Sequence, residues 1–168
     1  MSTSSKNEVK IVVTGTDWMG GGIGSVESTL AELFKTATNE IYISAYSIGN
    51  SSDLLFEWVE KALLRGIRIK IVINRLNEQP SEVVSKLVNL ANEFSYMSIF
   101  EFPSSEGVDL HAKIIVADHN RALVGSSNLS KRGIFTNYEM GILIDGQLAA
   151  TVANKVNKLF EISTRVKN

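Results

Sequence analysis

Ile41-Tyr42-Ile43-Ser44-Ala45 and Ile67-Arg68-Ile69-Lys70-Ile71-Val72-Ile73 are two apolar, β-branched runs of strand length, and the segment from Asp53 to Arg65 lies between them. In that segment Leu54, Leu55, Trp58, Leu63 and Leu64 form an apolar set at helical spacing, and Gly66 supplies the stop. A strand, a helix and a strand in so short a span make a crossover unit. The flanks continue the alternation. Val9 to Val13 reads as a buried strand, and Ser25 caps an amphipathic helix carrying Ser28, Leu30, Leu33 and Phe34 to about Lys35. Pro80 opens a helix over Ser81 to Asn92, Tyr96 to Phe102 is a strand, and so are Leu110 to Ala117 and Ala122 to Val124. Leu129 to Gly133 is a short helical turn, Tyr138 to Ile144 a strand, and Gln147 to Ile162 a closing helix. The pattern predicts a single α/β sandwich domain with a mixed, largely parallel sheet flanked by helices.

A chain of 168 residues, 44% apolar, suits one such domain, read here as residues 9–168 behind a disordered polar leader over 1–8. The net charge of −1 gives no global positive field, so any surface for nucleic acid must be local. The absence of cysteine removes disulfides and thiolate metal sites. The amino-terminal residues carry no apolar core of signal-peptide length, and no run reaches the roughly 18 apolar residues that a membrane span needs. The expectation is a cytoplasmic protein.

Within the Leu110 to Ala117 run, His111 and Lys113 are charged or polar side chains two residues apart, which on a strand share a face while Ala112 and Ile114 pack on the other. Asp118 ends the strand at a turn and is read as holding that turn. Gly125-Ser126-Ser127-Asn128 follows the next strand, where glycine permits an unusual backbone and the polar side chains reach back toward the same place. An imidazole, an ammonium and neutral hydrogen-bonding groups are an inventory for handling a phosphoryl group. Glu139 is the natural partner of the imidazole, because a carboxylate on Nδ1–H orients the ring and stabilises its cation. His119, in a polar turn, is read as solvent-exposed and without function.

His-x-Lys, four residues, Asp, six residues, Gly-Ser-x-Asn, carried here by His111, Lys113, Asp118, Gly125, Ser126 and Asn128, resembles the signature of the phospholipase D superfamily. Residues 41–73, with an Arg-Gly step into the second strand, are similar to the first crossover unit of its domains, so the resemblance spans roughly residues 40–145. It implies phosphodiester cleavage or transfer through a covalent phosphohistidine, with His111 as nucleophile and Lys113, Asn128 and Ser126 around the phosphoryl oxygens. It implies no cofactor and no metal. That chemistry uses two imidazoles, whereas the chain holds one copy of the motif; by resemblance, two chains pair as a homodimer around a shared site.

Short single-motif members of the superfamily are commonly nucleases, which makes a nucleic acid the expected substrate. The alternatives are a phospholipase or phosphatidyl transferase acting on lipid, and a catalytically silent nucleic-acid-binding effector module. Lys131 and Arg132, just beyond Asn128, are read as substrate contacts. So is Trp18, in the glycine-dense loop from Thr14 to Gly24, which lacks both the dinucleotide spacing and the lysine of a nucleotide-binding loop.

Overall fold

The computed structural model describes residues 7–166. Residues 1–6 of the expected leader lie outside the described residues, and Glu8 already belongs to a strand. The elements are β1 (Glu8–Thr14), β2 (Gly24–Ser25), α1 (Val26–Thr36), β3 (Glu40–Ala45), α2 (Asp53–Leu64), β4 (Arg68–Ile73), a 3-10 turn (Leu76–Glu78), α3 (Ser81–Glu93), β5 (Met97–Glu101), β6 (Lys113–Ala117), β7 (Arg121–Gly125), α4 (Lys131–Phe135), β8 (Glu139–Asp145), α5 (Gln147–Ile162) and β9 (Thr164–Arg165). Ser25 caps α1 as its sequence position suggests, its side chain accepting from the Ser28 amide.

One sheet carries all the strands, in the order β2-β1-β8-β7-β6-β3-β4-β5-β9. It is mixed, as expected, but its parallel share is smaller than the alternation of elements suggests. The pairs β1/β2, β3/β4 and β4/β5 are parallel, whereas β1/β8, β3/β6, β5/β9, β6/β7 and β7/β8 are antiparallel. The reason lies in the connections. β6 and β7 are joined by Asp118 to Asn120 alone, too short for a crossover, so the pair must run antiparallel.

That hairpin turn is tight, with Asp118 and His119 both left-handed at φ 51 and 57 and the Asn120 amide donating to Ala117 O at 3.1 Å. Asp118 does more than hold its own turn. Its Oδ2 accepts from Thr38 N at 2.8 Å and Thr38 Oγ1 at 2.9 Å, and its Oδ1 accepts from Asn39 N at 2.8 Å and Glu40 N at 3.0 Å. Partial burial alone would raise this carboxyl's pKa, but the donors outweigh it and hold the group below the usual aspartate range. Asp118 thus fastens the turn between α1 and β3 to the far end of the strand that carries the lysine.

A group with a lowered folded-state pKa contributes stability above its unfolded value, and loses that contribution as pH falls through the folded value. Asp118→Ala is therefore expected to lower stability by about 1–3 kcal/mol at neutral pH. The gap to the parent should close below about pH 4, the ordinary aspartate range. Urea melts at both pH values check this, and a gap independent of pH would assign the loss to packing instead.

The two sheet faces are covered unequally. On one, α1, α2, α3 and α4 bury Leu30, Leu33, Phe34, Leu63, Leu87 and Ile134 against Ile43, Ile69 and Ile115. On the other, α5 alone packs Ala149, Ala153, Val156 and Phe160 against Tyr42, Val72, Val116 and Ile144. The small residues of α5 let it lie close to the sheet. Because Val9 faces Ile144, Ile11 faces Ile142 and Val13 faces Met140 across β1 and β8, these side chains share the α5 side. A single helix does not reach all of them. Val9 and Ile11 are each 54% exposed, Met140 47% and Ile142 43%.

Candidate active site

The polar residues singled out in the sequence collect at one edge of the sheet, where β6 and β8 start and β3, β4 and β7 end. Lys113 is the first residue of β6 and pairs with Gly125, the last of β7, which faces Gly141 of β8. His111 precedes β6 instead of lying on it, and Ala112 is exposed instead of packed. The imidazole nevertheless meets Lys113, because the ammonium folds back to lie 3.0 Å from Nδ1 while donating to His111 O at 2.8 Å.

Three residues that the sequence reading passed over fix this geometry. The Ser44 hydroxyl donates to Ala112 O at 2.9 Å, and Asn74, itself buried, accepts from Leu110 N at 2.9 Å through Oδ1. The backbone on both sides of His111 is thereby pinned. Tyr46, just past β3, packs its ring against the imidazole at 4.4 Å between centroids and lies 4.9 Å under the Lys113 ammonium. The available signal was a serine and an asparagine at the ends of otherwise apolar strands, since a polar residue in a buried strand is the informative one. Asn74 also reaches Asp109 at 3.2 Å, where Arg75 Nε binds at 2.7 Å and holds that carboxyl below its usual range. A cavity of about 350 Å³ opens beside Tyr46 and is lined also by Asn74, Arg75 and Gln79.

Lys113 has a lowered pKa because its partial burial disfavours the cation, with Glu139 opposing the effect through its charge. Glu139 itself is placed differently from expectation. Its Oε2 accepts from the Ser126 hydroxyl and its Oε1 from Asn137 Nδ2 at 3.3 Å, and among the described residues no hydrogen bond joins it to His111. Lysine has no acceptor, so its contact with Nδ1 puts the imidazole proton on Nε2. A carboxylate on Nδ1–H would select the opposite tautomer. Within one chain, then, the imidazole lacks the partner that its sequence context suggested.

Ser126, Ser127 and Asn128 leave β7 in a loop held on both sides. Ser127 Oγ donates to Gly133 O at 2.7 Å, and Leu129 O accepts from Gly49 N at 3.1 Å and from Ser52 Oγ at 2.8 Å. Gly125 is required for space and not for an unusual backbone: a Cβ there would lie 2.9 Å from both Gly141 Cα and Met140 O. Gly133 is another residue the sequence reading missed, since its Cβ would lie 2.4 Å from Asn128 O. Among the described residues the buried Asn128 Oδ1 has no hydrogen-bond partner, so this amide keeps an unused acceptor at the site.

Lys131 and Arg132 are exposed at the start of α4. Trp18 is exposed too, its ring against Tyr138, the residue before Glu139. His119 lies at the opposite end of β6. It is half-buried against Tyr42 and not free in solvent, with its Nε2 2.9 Å from Glu40 Oε1.

The family described as "Cardiolipin synthase, PLD-like domain" matches residues 30–163. The chain belongs to the phospholipase D superfamily. Members of this superfamily are phosphodiesterases, and the imidazole, ammonium and amide described above suit that chemistry. Among curated proteins the chain is similar to the DISARM protein DrmC of Bacillus paralicheniformis, with 30% identity over 135 residues, covering 79% of this chain and 55% of that protein. It is also similar to cardiolipin synthase A of Proteus mirabilis, 27% identical over 131 residues, covering 75% of this chain and 25% of that one. The chain thus spans about half or less of the length of these two relatives. In fold it resembles the phospholipase D family member Nuc from Salmonella typhimurium, with a TM-score of 0.77 at 19% identity, over 97% of this chain and 100% of that chain. Among the described residues no helix is long and apolar enough to cross a membrane.

Proposed function

We propose that the protein is a metal-independent endonuclease that cleaves DNA or RNA through a covalent phosphohistidine, at a site completed by a second copy of the chain. The observation that carries this reading is the exposed His111 imidazole with the Lys113 ammonium 3.0 Å from its Nδ1. A nucleophile for phosphorus needs a ring nitrogen lone pair and a fixed cation for the phosphoryl oxygens; Lys113 is the cation, and His111 offers the Nε2 lone pair once Lys113 turns from Nδ1 to those oxygens and Nδ1 carries the proton. Nε2 of His111 attacks phosphorus, and a P–N bond forms as the bond to the leaving oxygen breaks. The imidazole of the second copy gives its proton to that oxygen, then takes one from the water that cleaves the P–N bond and restores His111. Lys113, Asn128 and Ser126 hold the phosphoryl oxygens throughout.

Two features support the homodimer. One chain offers one motif histidine, and the uncovered strip of Val9, Ile11, Met140 and Ile142 beside α5 starts one residue from Glu139 and suits burial against a copy of itself. The same arrangement offers Glu139 to the imidazole of the second copy, selecting the tautomer with a free Nε2.

A second reading, transfer or hydrolysis of phospholipids, is favoured by the likeness to cardiolipin synthase A. One assay separates them. In the presence of EDTA, the purified protein should cleave labelled DNA or RNA at its untreated rate and leave phospholipid vesicles intact. Loss of cleavage on chelation, restored by magnesium, would overturn the phosphohistidine mechanism. Turnover of phospholipid alone would select the second reading.

A further inference from the structure

The loop between β1 and β2 brings Trp18 against Tyr138, ring centroids 5.4 Å apart and interplanar angle 90°, and leaves them 43% and 52% exposed. Two large aromatic side chains exposed together, away from the core, are not explained by folding. Nor is their arrangement casual. The Tyr138 hydroxyl bonds the Asp17 carboxylate. Its ring lies so close to Gly15 that a Cβ there would come within 2.8 Å of it, and the φ of +115 at Gly15 likewise suits only glycine. Gly15 O in turn accepts from Trp18 N at 3.0 Å and Met19 N at 3.1 Å, so one residue seats the tyrosine and anchors the turn that carries the tryptophan.

The pair is linked to the active site through the chain. Tyr138 is bonded through the chain to Glu139, whose carboxylate holds Ser126 and whose charge acts on Lys113. The loop also lines a cavity of about 270 Å³, through Gly15 and Met19, with Ile134 and Phe135 among its other walls. Exposed aromatic surface thus begins one residue along the chain from Glu139. In an edge-to-face pair, the ring that gives its edge keeps its faces free, and a nucleobase offers the complementary plane. In a duplex the base faces are covered by their neighbours. A strand with unpaired bases exposes them.

We infer that Trp18 and Tyr138 form a stacking platform for an unpaired base next to the scissile phosphate, so that the substrate is a single-stranded nucleic acid. This rests on the nuclease reading and deepens it. Stacking on aromatic rings tolerates any base, because every base has such a face, and it adds affinity that phosphate contacts alone do not supply.

The test is binding of an oligothymidylate, an abasic oligomer of equal phosphate number, and a duplex, by fluorescence anisotropy of the full chain in a His111→Ala background, where nothing is cut. Trp18→Ala and Tyr138→Ala should each weaken oligothymidylate binding roughly fivefold to a hundredfold and leave the abasic oligomer and duplex unaffected. Trp18→Phe and Tyr138→Phe, which keep an aromatic face, should recover most of it. Equal losses on the abasic oligomer would make the residues structural and overturn the platform. So would a loss of dimer in sedimentation in place of a loss of base affinity, which would put a second copy of the chain on these rings. Wild-type protein that cuts nucleic acid while the alanine variants bind like their parent would sink the platform alone; wild-type protein that cuts none would sink the nuclease reading and the platform with it.

Discussion

Replacing His111 by alanine should lower turnover of a phosphodiester at least about a thousandfold, equivalent to roughly 4 kcal/mol of barrier, and Lys113→Ala should do the same. The two losses have different origins. Without His111 there is no ring nitrogen to form the P–N bond. Without Lys113 the nucleophile remains, but the charge developing on the phosphoryl oxygens loses its nearest fixed cation. Neither change should unfold the chain, because His111 is exposed and Lys113 lies only partly buried at the strand start. His119→Ala is the control, since that ring sits against Tyr42 and Glu40 at the far end of β6. Rates measured under single-turnover conditions, with melts alongside, decide the matter. If His111→Ala and His119→Ala lost activity alike, the assignment of the nucleophile would fail.

Apart from the strand read from Leu110, which starts three residues later at Lys113, the elements around the site are legible in the sequence to within a residue or two, because strand and helix periods are local. The bounds of Gln147–Ile162 are legible at both ends, since its apolar positions keep helical register between a glycine and a polar exit. Less legible was everything set by which strand lies beside which. The antiparallel share of the sheet depends on long-range pairing of β1 with β8 and β3 with β6, which no window reports.

At Gly125 the sequence suggests an unusual backbone, whereas the constraint is space, set by Gly141, a residue that only β7/β8 pairing brings opposite. His111 falls just before the strand because its neighbours are tied to Ser44 and Asn74 in place of sheet partners. Glu139 shows the limit most clearly. Spacing marks it as a site residue, but its partners are Ser126 and Asn137, and among the described residues no hydrogen bond joins it to the imidazole it suits chemically.

A mixed dimer of one intact subunit and one His111→Ala subunit should retain a nucleophile while losing the second imidazole. An alkoxide leaves badly without a proton, so natural phosphodiesters should be cut very slowly, far below half of the wild-type rate. A nitrophenyl phosphodiester needs no such proton, because nitrophenolate leaves as the anion. The mixed dimer should therefore release one nitrophenol per dimer in a burst and then stall as phosphohistidine, no imidazole remaining to activate the hydrolytic water. The stalled species is directly measurable as acid-labile phosphorus on the intact subunit. Two independent sites would behave otherwise: the natural substrate would turn over at half the wild-type rate, no burst would be seen, and each chain would carry a complete site. That result would leave the uncovered strip of Val9, Ile11, Met140 and Ile142 with no part in catalysis.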